Sequence, residues 1–265
     1  MFTSDIHIIE GLGLIFAGIV QGVTGFGIGL VAVGILTIYR PPVVVIPALL
    51  GVYIVTMGVL LYEHRKYFNK KLLQNNLLIS FPSITLALLG MVGGSFLLQT
   101  ISSKHITLML GIFIIVFSLF NFFQKFLNLR GASSSYRSNL NNKSGKILCY
   151  FASSSAGMLE GFLGLGGPPI VMYMIYQGLD SKLFITFFNF FFLGLSPLRL
   201  ANYLTFGIID LEVLKLTFFI LIFVVIGLIL GILIRRRFIN EKKFRVLVVV
   251  LLIGIGISLI FKSFR

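Results

Sequence analysis

The sequence predicts an all-α polytopic membrane protein of two inverted repeats, each a Gly-broken helix or helical hairpin plus three transmembrane helices. Three observations predict it. First, 57% of the 265 residues are hydrophobic and only 11% are charged, whereas a water-soluble domain carries about 25% charged residues. Mean hydropathy is +1.04. Second, apolar stretches longer than about 18 residues recur along the whole chain, long enough for a helix to cross a bilayer. Nothing alternates polar and apolar residues over a strand length, as a transmembrane barrel would. Third, one glycine-rich stretch occurs twice.

The first copy is Gly18-Ile19-Val20-Gln21-Gly22-Val23-Thr24-Gly25-Phe26-Gly27, and the second is Gly157-Met158-Leu159-Glu160-Gly161-Phe162-Leu163-Gly164-Leu165-Gly166. The glycines align at identical spacing, and the polar position common to both holds Gln21 in one and Glu160 in the other. Glycine at this density loosens a helix and admits a second backbone or a ligand. In lipid such a break survives only where it is buried in protein or lines a cavity. Each half is therefore expected to contribute one broken helix to a shared site.

The elements follow in order. The first apolar block, Ile6 to Ile38, would span roughly 50 Å as one helix, against a hydrocarbon core of about 30 Å. Interrupted near its middle by Gln21 to Gly27, it fits two half-length helices in a hairpin better, with one strongly tilted helix as the alternative. After Arg40-Pro41-Pro42 come spans near Val43–Tyr62, Leu77–Leu98 and Ile106–Phe126. Gly90, Gly93 and Gly94 give the second of these a small-residue face for close packing. The second half repeats the plan. A broken block, Ile147 to Tyr176, is followed by spans near Leu183–Phe206, Leu214–Ile234 and Val246–Phe261. Gly227 and Gly231 match Gly90 and Gly94 in position. The chain is expected to divide into a first half (1–128), a polar basic linker (129–146) and a second half (147–265).

Charge decides the orientation. Of 22 Lys and Arg, four lie in 63–71, five in 125–146 and six in 235–245. The net charge of +14 is thus a topology signal rather than a nucleic-acid footprint. If both broken blocks return to the side they entered, all three basic loops face one side. The positive-inside rule makes that side cytoplasmic, with both termini outside and the halves inverted. The N-terminus carries Asp5 and Glu10 with no Lys or Arg before the first apolar run, so no basic leader region is expected.

The paired motifs, Gly-x-x-Gln-Gly-Val-Thr-Gly-Phe-Gly and Gly-x-x-Glu-Gly-Phe-Leu-Gly-Leu-Gly-Gly-Pro-Pro, resemble those of the sulfite exporter TauE/SafE family, and the resemblance covers nearly the whole chain. It implies an integral plasma-membrane protein of bacterial type. Such a protein moves sulfite, sulfonates, sulfoacetate or related small anions, coupled to a proton or ion gradient. Members differ in substrate, so the family name assigns none.

An anion carrier must replace its substrate's hydration with fixed dipoles or positive charge. Helix N-termini at a break present free N–H groups and a partial positive charge. The first copy offers Gln21, Thr24, Gly25 and Gly27 for this, and the second offers Glu160, Gly164, Gly166 and Gly167. The alternative is that these glycines serve helix packing alone. Pro168 and Pro169 suit the first turn of the returning helix. Glu160 is a carboxylate deep in an apolar block, a position that suits a proton carrier or a fixed hydrogen-bonding group. Arg199, in Ser196-Pro197-Leu198-Arg199, could hold a sulfonate or carboxylate through two parallel hydrogen bonds; otherwise it snorkels to the surface. Asn189 and Tyr203 are weaker lining candidates.

No cofactor is expected. His7, His64 and His105 fall at segment ends without metal-ligand spacing, and Cys149 has no intrachain partner. The expected partners are a small anionic substrate, membrane lipid and a proton or ion gradient, with homo-oligomerisation left open. A membrane-embedded enzyme would need several intramembrane His, Asp, Ser or Cys residues within mutual reach, and the sequence offers no such set. A passive anion channel is a third reading, separable by accumulation against a gradient.

Overall fold

The computed structural model describes residues 2–67, 76–123, 143–177, 179, 181–237 and 241–264. Within them the chain forms ten α-helices. The first apolar block folds as α1 (Phe2–Thr24) and α2 (Ile28–Tyr39). The chain reverses at Gly25 and Gly27, with φ of +81° and +101°. In that left-handed region an L side chain costs about 1–2 kcal/mol, so glycine fixes where the helix stops. From there α2 runs back along α1. Gly13 faces Ile35, and Arg40 donates to Glu10 through two hydrogen bonds of 2.8 and 2.9 Å.

The second block does the same. Helices α6 (Lys143–Leu163) and α7 (Gly167–Tyr176) flank a reversal at Gly164, φ +68°. Gly166 packs on Ala156, and Tyr173 returns beside Cys149. Both blocks are thus hairpins, but not of half-length arms. The long arms have 23 and 21 residues and the short ones 12 and 10. Gln21 to Thr24 stay helical, and the break is confined to Gly25-Phe26-Gly27. Of the four aligned glycines only the last two interrupt the helix.

The first two glycines pack helices. Gly18 and Gly22 lie on the backbone of α9 (Leu211–Arg237) around Gly227 and Gly231. Gly157 and Gly161 lie on α4 (Phe81–Thr100), while Gly90 and Gly94 reciprocate on α6. A Cβ on Gly22 would stand 2.5 Å from the Leu228 carbonyl oxygen. Without Cβ atoms the backbones come close enough for dispersion contact along the whole crossing.

The remaining helices are α3 (Pro42–Glu63), α5 (Ser103–Phe123), α8 (Ser181–Thr205) and α10 (Glu241–Phe264). Among the described residues, six helices (α3, α4, α5, α8, α9 and α10) are long and apolar enough to cross a membrane. The expected span from Leu77 is shortened: Leu77–Ile79 form a separate 3-10 turn and α4 begins at Phe81. Pro82 explains this, because it belongs in a first turn, where no N–H is needed. Pro197 sits inside α8 without ending it. The expected linker loses its last residues to α6, which starts at Lys143. Its remainder lies outside the described residues, as do Lys70 and Lys71.

Side-chain contacts tie the helix ends into two faces. On one, Glu63 at the end of α3 pairs with Arg235 at 2.6 Å and Arg236 at 3.3 Å, and Lys182 lies over the Tyr67 ring. On the other, Lys262 donates to the Thr37 carbonyl at 2.7 Å and Gln99 donates to that of Phe206. On α9 an exposed stripe of Leu211, Leu214, Phe218, Ile222, Ile226, Ile229 and Leu233 recurs every three or four residues, the face a bilayer covers. Opposite it, α3 and α8 cross at the centre and carry both hairpin tips.

Candidate functional site

The two tips meet. A cavity of about 40 Å³ lies between them. Gln21, Gly27, Gly29 and Leu30 line it from the first hairpin, and Glu160, Gly164, Leu165, Gly167 and Pro168 line it from the second. Tyr53 and Met57 of α3 and Phe188 and Phe192 of α8 close the sides. Gly29 lacks the Cβ that would stand 2.5 Å from the Tyr53 hydroxyl and 3.0 Å from the Gly164 carbonyl. A side chain there would push the tips apart.

The two motif-matched polar residues do the same local job. Gln21 Oε1 accepts from the Ile28 N–H at 3.2 Å, and Glu160 Oε2 accepts from the Gly166 N–H at 2.8 Å. Each long arm thus satisfies an N–H at the start of its returning helix, a donor without an intrahelical acceptor. Their other atoms differ. Gln21 Nε2 is buried without a partner. Glu160 Oε1 is ion-paired with Arg199 Nη1.

Arg199 is 1% exposed. The snorkelling reading therefore falls: the side chain turns inward from α8 to α6. Its Nε donates to the Tyr203 hydroxyl at 3.1 Å and its Nη2 to the Ile46 carbonyl at 3.4 Å. The Tyr53 and Tyr203 rings flank it, 5.5 and 5.2 Å from the guanidinium carbon. A charge taken out of water is tolerable only with this kind of pairing and bonding.

Each reversal is also held by the other half of the chain. Asn189 of α8 donates to the Gly25 carbonyl at 3.2 Å, and Tyr53 of α3 donates to the Gly164 carbonyl at 2.9 Å. Gly25 and Gly164 are matched positions of the repeated motif. Helical hydrogen bonding stops at these glycines, and side chains from a crossing helix take over.

Of the sequence-derived candidates, Gln21, Gly27, Glu160, Gly164 and Gly167 line the cavity. Thr24, Gly25, Gly166, Asn189 and Arg199 stand behind it. The Thr24 hydroxyl is spent inside the turn, 2.8 Å from the Val20 carbonyl, and accepts from the Phe26 N–H at 3.3 Å. Tyr203 is fully buried against Arg199. Sequence reasoning missed Tyr53, although a mid-span hydroxyl was a readable signal. It also missed Glu10, which is fully buried against Arg40. Folding the first block about Phe26 would have placed these two side by side.

Among the described residues no three His, Cys, Asp or Glu side chains are grouped to hold a metal ion.

Among the described residues, ten helices, six of them long and apolar enough to span a bilayer, define a multi-pass membrane protein. A family model described as sulfite exporter TauE/SafE matches residues 11–259, and the chain belongs to that family. Neither curated proteins nor solved structures gave a match.

Proposed function

We propose that this protein carries small anions of the sulfite, sulfonate or sulfoacetate kind across a bacterial plasma membrane, with the cavity between the hairpin tips as the substrate site. One observation carries this reading: two broken segments from different halves line one cavity and bring Gln21 and Glu160 to its wall. Family membership supports the substrate class.

The halves, 1–128 and 147–265, act as inverted repeats. Two contact patterns support this. Helix α1 lies along α9 as α6 lies along α4, so each long arm packs on the matching helix of the other half. The first hairpin opens at the face of Lys262 and Thr37, and α6 enters from the opposite one. Rocking one half against the other would then expose the same cavity alternately to each side.

Glu160 carries the coupled proton. With Glu160 charged, the Arg199 pair is neutral and the cavity holds no net charge. Protonating Glu160 leaves the Arg199 cation among Tyr53, Tyr203 and the Ile46 carbonyl, uncompensated until an anion enters. Losing the proton restores the pair and favours release. One proton then moves with one anion charge. On the basic face, Arg235, Arg236 and their neighbours attract anionic lipid headgroups.

Labelled sulfite, sulfoacetate and small carboxylates in proteoliposomes, with and without an imposed pH gradient, test the reading. Gradient-driven accumulation of one anion class is expected, and Glu160→Gln should abolish its pH dependence. Flux only down the anion's own gradient would make the protein a channel. No flux of any anion would remove the transport reading.

A further inference from the structure

The two long arms end differently. The last carbonyls of a helix have no intrahelical donor, and that end carries a partial negative charge of about half a unit. At the end of α6 the chain itself meets both needs. The Gly161 carbonyl accepts from the Tyr203 hydroxyl at 3.3 Å, and that of Gly164 accepts from Tyr53. The Arg199 cation lies beside the turn, its Nη2 3.4 Å from where a Cβ on Gly164 would stand. At the end of α1 the Gln21 carbonyl accepts from the Gly25 N–H at 2.8 Å. Among the described residues no donor reaches the carbonyl of Gly22, which matches Gly161, or that of Val23. Counting on from each motif, the position that corresponds to Arg199 is Leu60.

Oxygens crowd this first turn, and protons are few. The Thr24 hydroxyl faces two carbonyls, those of Val20 and Phe26, and has one hydrogen to give. It accepts from the Phe26 N–H at 3.3 Å, which leaves one lone pair free. Asn189 of α8 adds another oxygen. It is 0% exposed, and its Nδ2 donates to the Gly25 and Ile185 carbonyls at 3.2 and 2.7 Å. Both partners only accept, so the amide has one orientation and Oδ1 is the atom left buried without a partner. A buried acceptor left unpaired is destabilising. Apolar groups close the turn off: the Phe26 ring packs on Phe184 and Phe188 at 5.7 and 5.9 Å between centroids, and Ile185 covers Gly25.

We propose that the first tip binds a monovalent alkali cation through Asn189 Oδ1, the Thr24 hydroxyl oxygen and carbonyl oxygens of residues 22–26. The ion supplies at the end of α1 the positive charge that Arg199 supplies at the end of α6. All of these oxygens are neutral, which suits a singly charged ion; Ca2+ and Mg2+ sites take carboxylates. Gln21 takes no part, because its unpartnered Nε2 is a donor. The cation site rests on the oxygens of the turn and not on the anion reading.

The test is thermal unfolding and hydrogen exchange of the purified full chain in lipid nanodiscs, in NaCl or KCl against choline chloride at constant total salt. With Na+ or K+ the melting temperature should rise by roughly 3 °C per tenfold increase once the site begins to fill, and choline should not raise it. Exchange should slow at 25–28 and stay unchanged at 164–167. Thr24→Val, which removes the hydroxyl at nearly equal size, should lose the response, and Thr24→Ser should keep it. Should Thr24→Val fail to fold, the exchange pattern of the natural protein decides alone. Equal melting in all three salts, slowing at 164–167 instead of 25–28, or a folded Thr24→Val variant that responds as the natural protein does would each overturn the cation site and leave anion transport standing.

Discussion

Arg199 and Glu160 form a buried ion pair that joins α8 to α6 immediately behind the second hairpin tip. The carboxylate faces two ways: one oxygen holds Arg199, and the other holds the first N–H of the returning chain. Its charge state therefore bears on the shape of the tip as well as on its electrostatics.

Breaking the pair from one side should be costly. Arg199→Met leaves a buried carboxylate without its cation, and about 3–5 kcal/mol of stability should be lost. Adding Glu160→Gln to that variant should recover most of it, because the amide still accepts from Gly166 and needs no counter-charge. Thermal unfolding of both variants in the same detergent checks this; additive losses would show that the two side chains do not act as a pair.

The reversal at Gly164 rests on the Tyr53 hydroxyl. Tyr53→Phe should cost about 1–3 kcal/mol by leaving that carbonyl unpaired. Asn189→Leu should do the same at Gly25. Hydrogen exchange should then quicken locally at 25–28 in one variant and at 164–167 in the other. Exchange quickening evenly along the chain would contradict the pairing of each tip with the opposite half.

Glycines of the same motif should respond differently to alanine. Gly164→Ala forces an L residue to φ +68°, a strain of about 1–2 kcal/mol that acts on the tip and should abolish transport in a folded protein. Gly22→Ala instead meets the Leu228 carbonyl across a helix crossing, so lowered thermal stability should be its first effect. Flux and melting temperature on both variants separate the roles.

How much of this was legible depends on range. The break, the packing glycines and the start of α7 follow from glycine and proline, whose effects are local. The unequal arms did not follow, because the four glycines aligned in both copies look alike until packing partners are known: Gly18 and Gly22 meet α9, while Gly25 and Gly27 meet nothing that would keep them helical. Glu160 was visible as a charge deep in an apolar block, and Arg199 as a charge within a span that could face a substrate or snorkel to the surface. Their pairing was not, because it depends on how α8 crosses α6.

Outside the spans, His64 gives a pH prediction. It caps α3, and its Nδ1 lies 3.0 Å from the Leu60 carbonyl. Burial holds its pKa below the usual histidine value; the Leu60 bond opposes this and the Arg235 charge adds to it. The unfolded chain then binds the proton more readily, so stability should fall as pH drops through about 6.5. His64→Gln should flatten that part of the melting-temperature profile; an unchanged slope would assign the acid sensitivity elsewhere.

The most direct test of an anion held between the two tips is substrate protection at Met57, a cavity-lining residue of α3. Met57→Cys in a Cys149→Ser background places one thiol there. A transported anion at saturating concentration should slow its reaction with a small thiol reagent, and a non-transported anion should not. Equal rates with and without the transported anion would contradict the account.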